Sequence, residues 1–86
     1  MKLFAIIITT FFYSYASLSY EKKHLEQLIN TNICTSCDLT YADLSKMDLT
    51  KANLTGSNLS YSNLSNVNLS YSDLSFVNLL KSKAYI

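Results

Sequence analysis

The chain has one glycine, no proline and no tryptophan in 86 residues. A loop-rich globular fold uses more Gly and Pro than that, so its turns must rest on other chemistry. An excess of one charge is also missing: there are seven Lys plus Arg against six Asp plus Glu. That balance removes the usual electrostatic case for nucleic acid or an anionic membrane as a partner. No apolar run approaches the roughly 20 residues that a spanning helix needs. Histidine occurs once and cysteine twice. No His–nucleophile pair, carboxylate pair or glycine loop stands outside a repeat register, so the expectation is no enzyme, no catalytic residue, no metal site and no cofactor. The length holds one domain at most.

The N-terminal segment, up to Ser19, is a sequence of its own kind. Met1-Lys2 is positive, Leu3 to Phe12 is apolar apart from Thr9 and Thr10, and small residues follow at Ser14, Ala16, Ser17 and Ser19. This is the order of a secretory signal peptide, with cleavage after Ala16 or after Ser19. An uncleaved anchor is the competing reading, and the short apolar run argues against it. Cleavage near Ser19 removes Lys2 and leaves a charge-neutral chain. The expected location is secreted or periplasmic, with no stable membrane insertion after cleavage.

From Cys37 onward the sequence repeats with a period of five. Leucine falls at 39, 44, 49, 54, 59, 64, 69, 74 and 79, each preceded by Asp or Asn. Ser or Thr follows each leucine until Leu80 breaks the pattern, and a mostly small residue, from Cys37 to Val77, stands two before it. Steps of five turn a side chain by about 140° on an α-helix, which scatters the leucines. On a flat strand an odd step alternates them between faces. The leucines can be buried together only if the chain turns a corner in every unit, with Leu and the small residue pointing inward. Asx and Ser/Thr side chains stabilise such corners by bonding nearby backbone groups.

Units such as Ala42-Asp43-Leu44-Ser45-Lys46 and Ala52-Asn53-Leu54-Thr55-Gly56 resemble the A(D/N)LXX repeat of the pentapeptide-repeat family. The resemblance runs from Cys37 to about Ala84. It implies an all-β solenoid: a right-handed quadrilateral β-helix of two to three coils, four repeats per coil. Equivalent positions four repeats apart then stack, and the whole stands about 12 Å high. Later repeats place Ser57, Ser62 and Ser72 inward, where each hydroxyl needs a backbone acceptor. The domain plan is a signal peptide at 1–19, a capping helix and lead-in at 20–33 and the solenoid at 34–86. The helix is expected over Tyr20–Asn30, with Ser19 as N-cap, Leu25, Leu28 and Ile29 as its apolar stripe, and His24 solvated. A helix this short does not stand alone, so it covers the N-terminal end of the solenoid. At the other end Leu80, Ala84, Tyr85 and Ile86 either fold over the last coil or form a homodimer contact.

Cys34-x-x-Cys37 lacks the strand–helix context of a redox pair and the further ligands of a metal site. Two readings remain open: buried thiols, or a disulfide formed after export. Two positions after each leucine the side chain points outward, and this row supplies the candidate binding surface: Tyr41, Lys46, Lys51, Tyr61, Tyr71 and Phe76. Exposed aromatics mark interfaces, but stacked tyrosines along a repeat also serve the repeat itself. Asn53, Asn58, Asn63 and Asn68 begin N-x-Ser/Thr sequons that the repeat generates automatically. The expected function is an exported, non-catalytic structural or protein-interaction module with an unknown protein partner and no nucleic acid. The family also offers topoisomerase protection by DNA mimicry, which calls for a long, acidic, cytoplasmic rod that this chain does not resemble.

Overall fold

A computed structural model describes residues 19–84. The expected signal peptide therefore lies outside the described residues apart from Ser19, as do Tyr85 and Ile86. The chain returns on itself once in every four repeats. Parallel bridges join Ile33 to Asn53, Asp38 to Asn58, Asp43 to Asn63 and Asp48 to Asn68, and continue to Asn63 with Lys83. Ile33 to Lys83 thus completes two and a half coils. The bridging residue is mostly the Asx before a leucine. Its N–H donates to a carbonyl of the coil before, as Asn58 does to Cys37 at 2.9 Å. Its carbonyl accepts from a leucine of that same coil, as Asn58 does from Leu39 at 2.9 Å.

The expected all-β class needs narrowing. Among the described residues each coil-to-coil contact is a single bridge, with no continuous strand, and the regular element is one helix, α1 (Lys22–Thr31). The cause is the corner in every unit. The N–H of Ala42 closes a turn on the carbonyl of Leu39 at 3.1 Å, and the same bond recurs from Met47 to Leu44 and from Ala52 to Leu49. Two positions after Cys34 and after each repeat leucine from Leu39 to Leu79 the backbone takes a left-handed conformation, with φ between 54° and 71° at every such corner from Ser36 to Lys81. This is the sign that a type II turn requires at its third residue. Only Gly56 supplies it without steric cost. The others include Tyr41, Lys46, Lys51, Tyr61, Tyr71, Phe76 and Lys81. Each costs about 1–2 kcal/mol, against the roughly 1.5–3 kcal/mol gained by burying one leucine. A single unit is therefore marginal, and the structure depends on stacking.

Hydrogen bonds at the corner offset part of that cost. The Oδ1 of Asp38 accepts both the N–H and the hydroxyl of Thr40, at 3.1 and 2.7 Å. Asn63 does the same for Ser65, and Asn68 for Ser70. Asn78 keeps only the backbone half, because Leu80 has no hydroxyl. Inside, Leu39, Leu44, Leu49, Leu54, Leu59 and Leu64 are buried with Cys34, Ala42 and Ala52. The inward serines find backbone acceptors: Ser57 on Cys34, Ser62 on Leu59 and Ser72 on Leu69. Met47, the largest residue at a small position, packs partly buried against this core.

Helix α1 differs from expectation in three respects. Its N-cap is Glu21 rather than Ser19, in an extended conformation with no side-chain capping bond, and the Glu21 N–H is committed to the Asp38 carbonyl at 3.1 Å. Ile29 is 59% exposed, so the apolar stripe narrows to buried Leu28 and partly buried Leu25. His24 is not a free surface residue: its Nδ1 accepts the Asp38 N–H at 2.8 Å. Asn32 ends the helix at φ 62°, its N–H on the Leu28 carbonyl, and its side-chain amide donates to the Thr50 carbonyl at 2.9 Å.

Two outcomes follow from this packing. Leu59→Lys should lower stability by about 4 kcal/mol or more, because it puts an unpaired charge in a filled interior. Asn58→Lys removes only the side-chain bond from the Ser60 N–H and should cost about 1 kcal/mol. Thermal melting of both variants checks the inward and outward assignment. Asp43, Asp48 and Asp73 have carboxyls held below their usual value of 3.8, first by the hydroxyls of Ser45, Thr50 and Ser75 and then by the N–H groups of the same residues. The unfolded chain therefore takes up protons first as pH falls. The contribution of these carboxylates is present above their unfolded value and is lost as pH drops through the folded one. The melting temperature should fall with acidification below pH 3.8, and Asp43→Asn/Asp48→Asn/Asp73→Asn should flatten that fall.

Candidate functional site

The four-repeat coil sorts the outward row into columns, one at each corner. Tyr41, Tyr61 and Lys81 share a column. The two rings lie 4.8 Å apart between centroids and 5° from parallel, and the Lys81 ammonium stands 5.7 Å from the Tyr61 centroid. The tyrosines remain about half exposed, at 52% and 43%. The face of Tyr61 turned from Tyr41 carries the cation, a favourable contact for the ring quadrupole. The corner backbone aims these side chains. The left-handed residue stands on the outside of its turn, and the bond from the Tyr41 N–H to the Ser60 carbonyl, 3.1 Å, fixes the spacing of successive rings.

The other four candidates do not join this group. Lys46 falls in the column of Asn66, Lys51 in that of Tyr71, and Phe76 in that of Gly56 and Ser36, as the bridge register requires. The six candidate residues are therefore spread over four corners, and Tyr41 and Tyr61 are the pair brought into contact. Tyr71 and Phe76 are 88% and 91% exposed. Lys81 is the residue that the candidate surface omits. Its signal in the sequence is its place one full coil after Tyr61.

Cys34 and Cys37 form a disulfide with Cα atoms 5.5 Å apart, and both residues are buried. The Ser57 hydroxyl bridges this segment, donating to the Cys34 carbonyl and accepting the Cys37 N–H, the latter at 3.1 Å. The Cys34 sulfur lies 3.3 Å from the His24 carbonyl. A disulfide sulfur carries no proton, so this is a packing contact rather than a hydrogen bond. The pair is thus wedged between α1 and the second coil as part of the core, whereas the tyrosine column belongs to the surface.

A family model for pentapeptide repeats matches residues 33–56 and 48–82, in eight copies. No curated protein matches the chain. Proteins built of such repeats are generally non-catalytic and serve as structural or protein-interaction modules. The matched residues contain every corner and every bridge described above except the contacts of α1 and Lys83, and the chain belongs to the pentapeptide-repeat family.

Proposed function

We propose that this protein is an exported, non-catalytic structural or protein-interaction module, built as a right-handed quadrilateral β-helix with α1 as its N-terminal cap. The observation that carries the reading is the Tyr41–Tyr61–Lys81 column. It is an ordered, half-exposed row on a body whose remaining chemistry is spent on corners and core. The bridge register supports the quadrilateral outline, with four corners to each coil. The charged, apolar and small-residue order of residues 1–19 supports export, and an oxidising compartment suits a buried disulfide. The net charge of +1 gives no support to DNA mimicry, which needs a strongly acidic surface.

The same column has two uses, and one experiment separates them. In Tyr41→Ala/Tyr61→Ala the outcome we expect is a modest fall in melting temperature with unchanged recovery of co-purifying protein, because the ring faces are spent on each other and on Lys81. Recognition through the rings would instead cost binding, by about 2 kcal/mol for an aromatic anchor, and leave the melting temperature nearly unchanged. Melting and pull-down yield on one preparation decide between them. Export is checked separately. Mass spectrometry of the fractionated cell should find a chain starting near Ser17 or Tyr20 outside the cytosol, and intact Met1 confined to the cytosol would remove export from the proposal.

A further inference from the structure

Every corner from Leu39 to Leu79 is held by the same two bonds. The Asp or Asn before the leucine accepts the N–H two residues on, as Asp43 does from Ser45. The N–H three after the leucine closes the turn on its carbonyl, as Ala42 does on Leu39. The first corner, Cys34 to Cys37, has neither. Ile33 stands where the later units have Asp or Asn, so no side-chain oxygen meets Thr35. The Cys37 N–H goes to the Ser57 hydroxyl at 3.1 Å instead of closing on Cys34. Ser36 nevertheless takes the same left-handed backbone, at φ 54°. Inside this corner the disulfide remains, and it joins the two residues that the turn bond joins elsewhere. It also touches α1: the Cys34 sulfur lies 3.3 Å from the His24 carbonyl.

We propose that the Cys34–Cys37 disulfide is a redox latch on the cap: oxidised, it holds α1 on the first coil, and reduction by a dithiol releases α1 while the coils stay folded. The step balances. One thiolate of the dithiol attacks a sulfur of the pair and forms a mixed disulfide, and its second thiol then displaces the protein sulfur. The dithiol leaves as a disulfide, and Cys34 and Cys37 gain two electrons and two protons. Their sulfurs then part from bonding distance to van der Waals contact. Both residues are buried, at 0% and 3% exposure, and extra volume in a filled interior displaces what lies around it.

The side that gives way is α1. Toward the second coil the corner is fixed by backbone bonds, from Cys34 N–H to Asn53, from Ser36 N–H to Thr55 and from Asn58 N–H to Cys37. Helix α1 has a single buried side chain, Leu28. Its other ties are the two bonds to Asp38 and the Asn32 amide on Thr50. Release strips the Asp38 N–H and carbonyl of their partners and uncovers the interior beneath Leu28. Because α1 also covers the sulfurs, a reductant reaches them only when α1 lifts. The latch is independent of the tyrosine column, and Tyr41→Ala/Tyr61→Ala should respond to reductant as the parent does.

Hydrogen exchange of the purified full-length chain, with and without dithiothreitol, tests the latch, and intact mass confirms that the two thiols have formed. On reduction the amides of Leu25 to Thr31 and of Asp38 should exchange about tenfold faster or more, while those of Leu59 and Asn63 stay within about twofold. The rate of reduction should level off at high dithiothreitol, because lifting of α1 sets it. Ile33→Asn/Cys34→Leu/Cys37→Ala gives the first corner the side-chain bond and the residues of the later ones. Its α1 amides should stay protected whether or not dithiothreitol is present. Should that variant not fold, the parent chain alone decides. Full protection of α1 after reduction overturns the proposal. Equal loss of protection in α1 and at Leu59 and Asn63 overturns it too, since the disulfide would then brace the whole coil and not the cap.

Discussion

The bond from each Asp or Asn side chain to the Ser or Thr two positions on is the contact on which the rest depends. It holds a corner with almost no glycine and no proline, in a backbone region that most side chains avoid. With that corner in place in every repeat, the leucines converge on one interior and the bridging residues align coil upon coil. Among the described residues no buried side-chain nitrogen or oxygen is left without a partner. Full satisfaction matters here because a narrow core has little apolar area to offset an unpaired polar group. The bond is reduced to its backbone half at Asn58 and Ser60, in mid-repeat, and at Asn78 and Leu80, near the end.

A coil of this kind cannot close itself. Each turn is complete only when another lies against it, so both ends are exposed edges in principle. The two ends meet this differently. At the first, a ten-residue helix and its C-cap lend a histidine ring, a backbone N–H and an asparagine amide to the groups that lack a neighbour. The buried disulfide and the Ser57 hydroxyl tie the lead-in to the coil beneath it. At the second, burial decays along the leucines, from 1% exposure at Leu64 to 44% at Leu79. The molecule is therefore asymmetric along its axis, with its exposed leucines gathered at one end.

Columns, more than single residues, are the units of surface in such a body. Whatever stands at a corner is repeated or replaced one coil later, directly beneath it. Tyr41 over Tyr61 gives a stacked pair, and Lys81 below adds a cation to the Tyr61 ring. Lys46 and Lys51 follow Tyr41 by only one and two repeats, yet they fall on other corners. Proximity in sequence and proximity on the surface are close to opposed here, and that decides which residues can act together.

Much of this was legible in the amino-acid sequence. The period of five excluded helix and flat strand, named the inward leucines and small residues, and, with four repeats to a coil, paired Tyr41 with Tyr61. It could not tell buried thiols from a disulfide at Cys34 and Cys37, because spacing alone does not bring two sulfurs together. The helix start and the role of His24 escape a sequence reading for one reason. Both are settled by Asp38, whose backbone groups lack a preceding coil, and no local propensity encodes a demand made from so far along the chain. The left-handed corners carried by Tyr, Lys and Phe were also hidden, since intrinsic preference points to Gly or Asn at such sites. Stacking overrides that preference. The sequence by itself determined the period and the interior, because those follow from where apolar side chains must go, while the columns needed the four repeats to a coil that the family resemblance implied and the bridges display. Only the tertiary structure decided how each end is finished, because an end is defined by the neighbour it lacks.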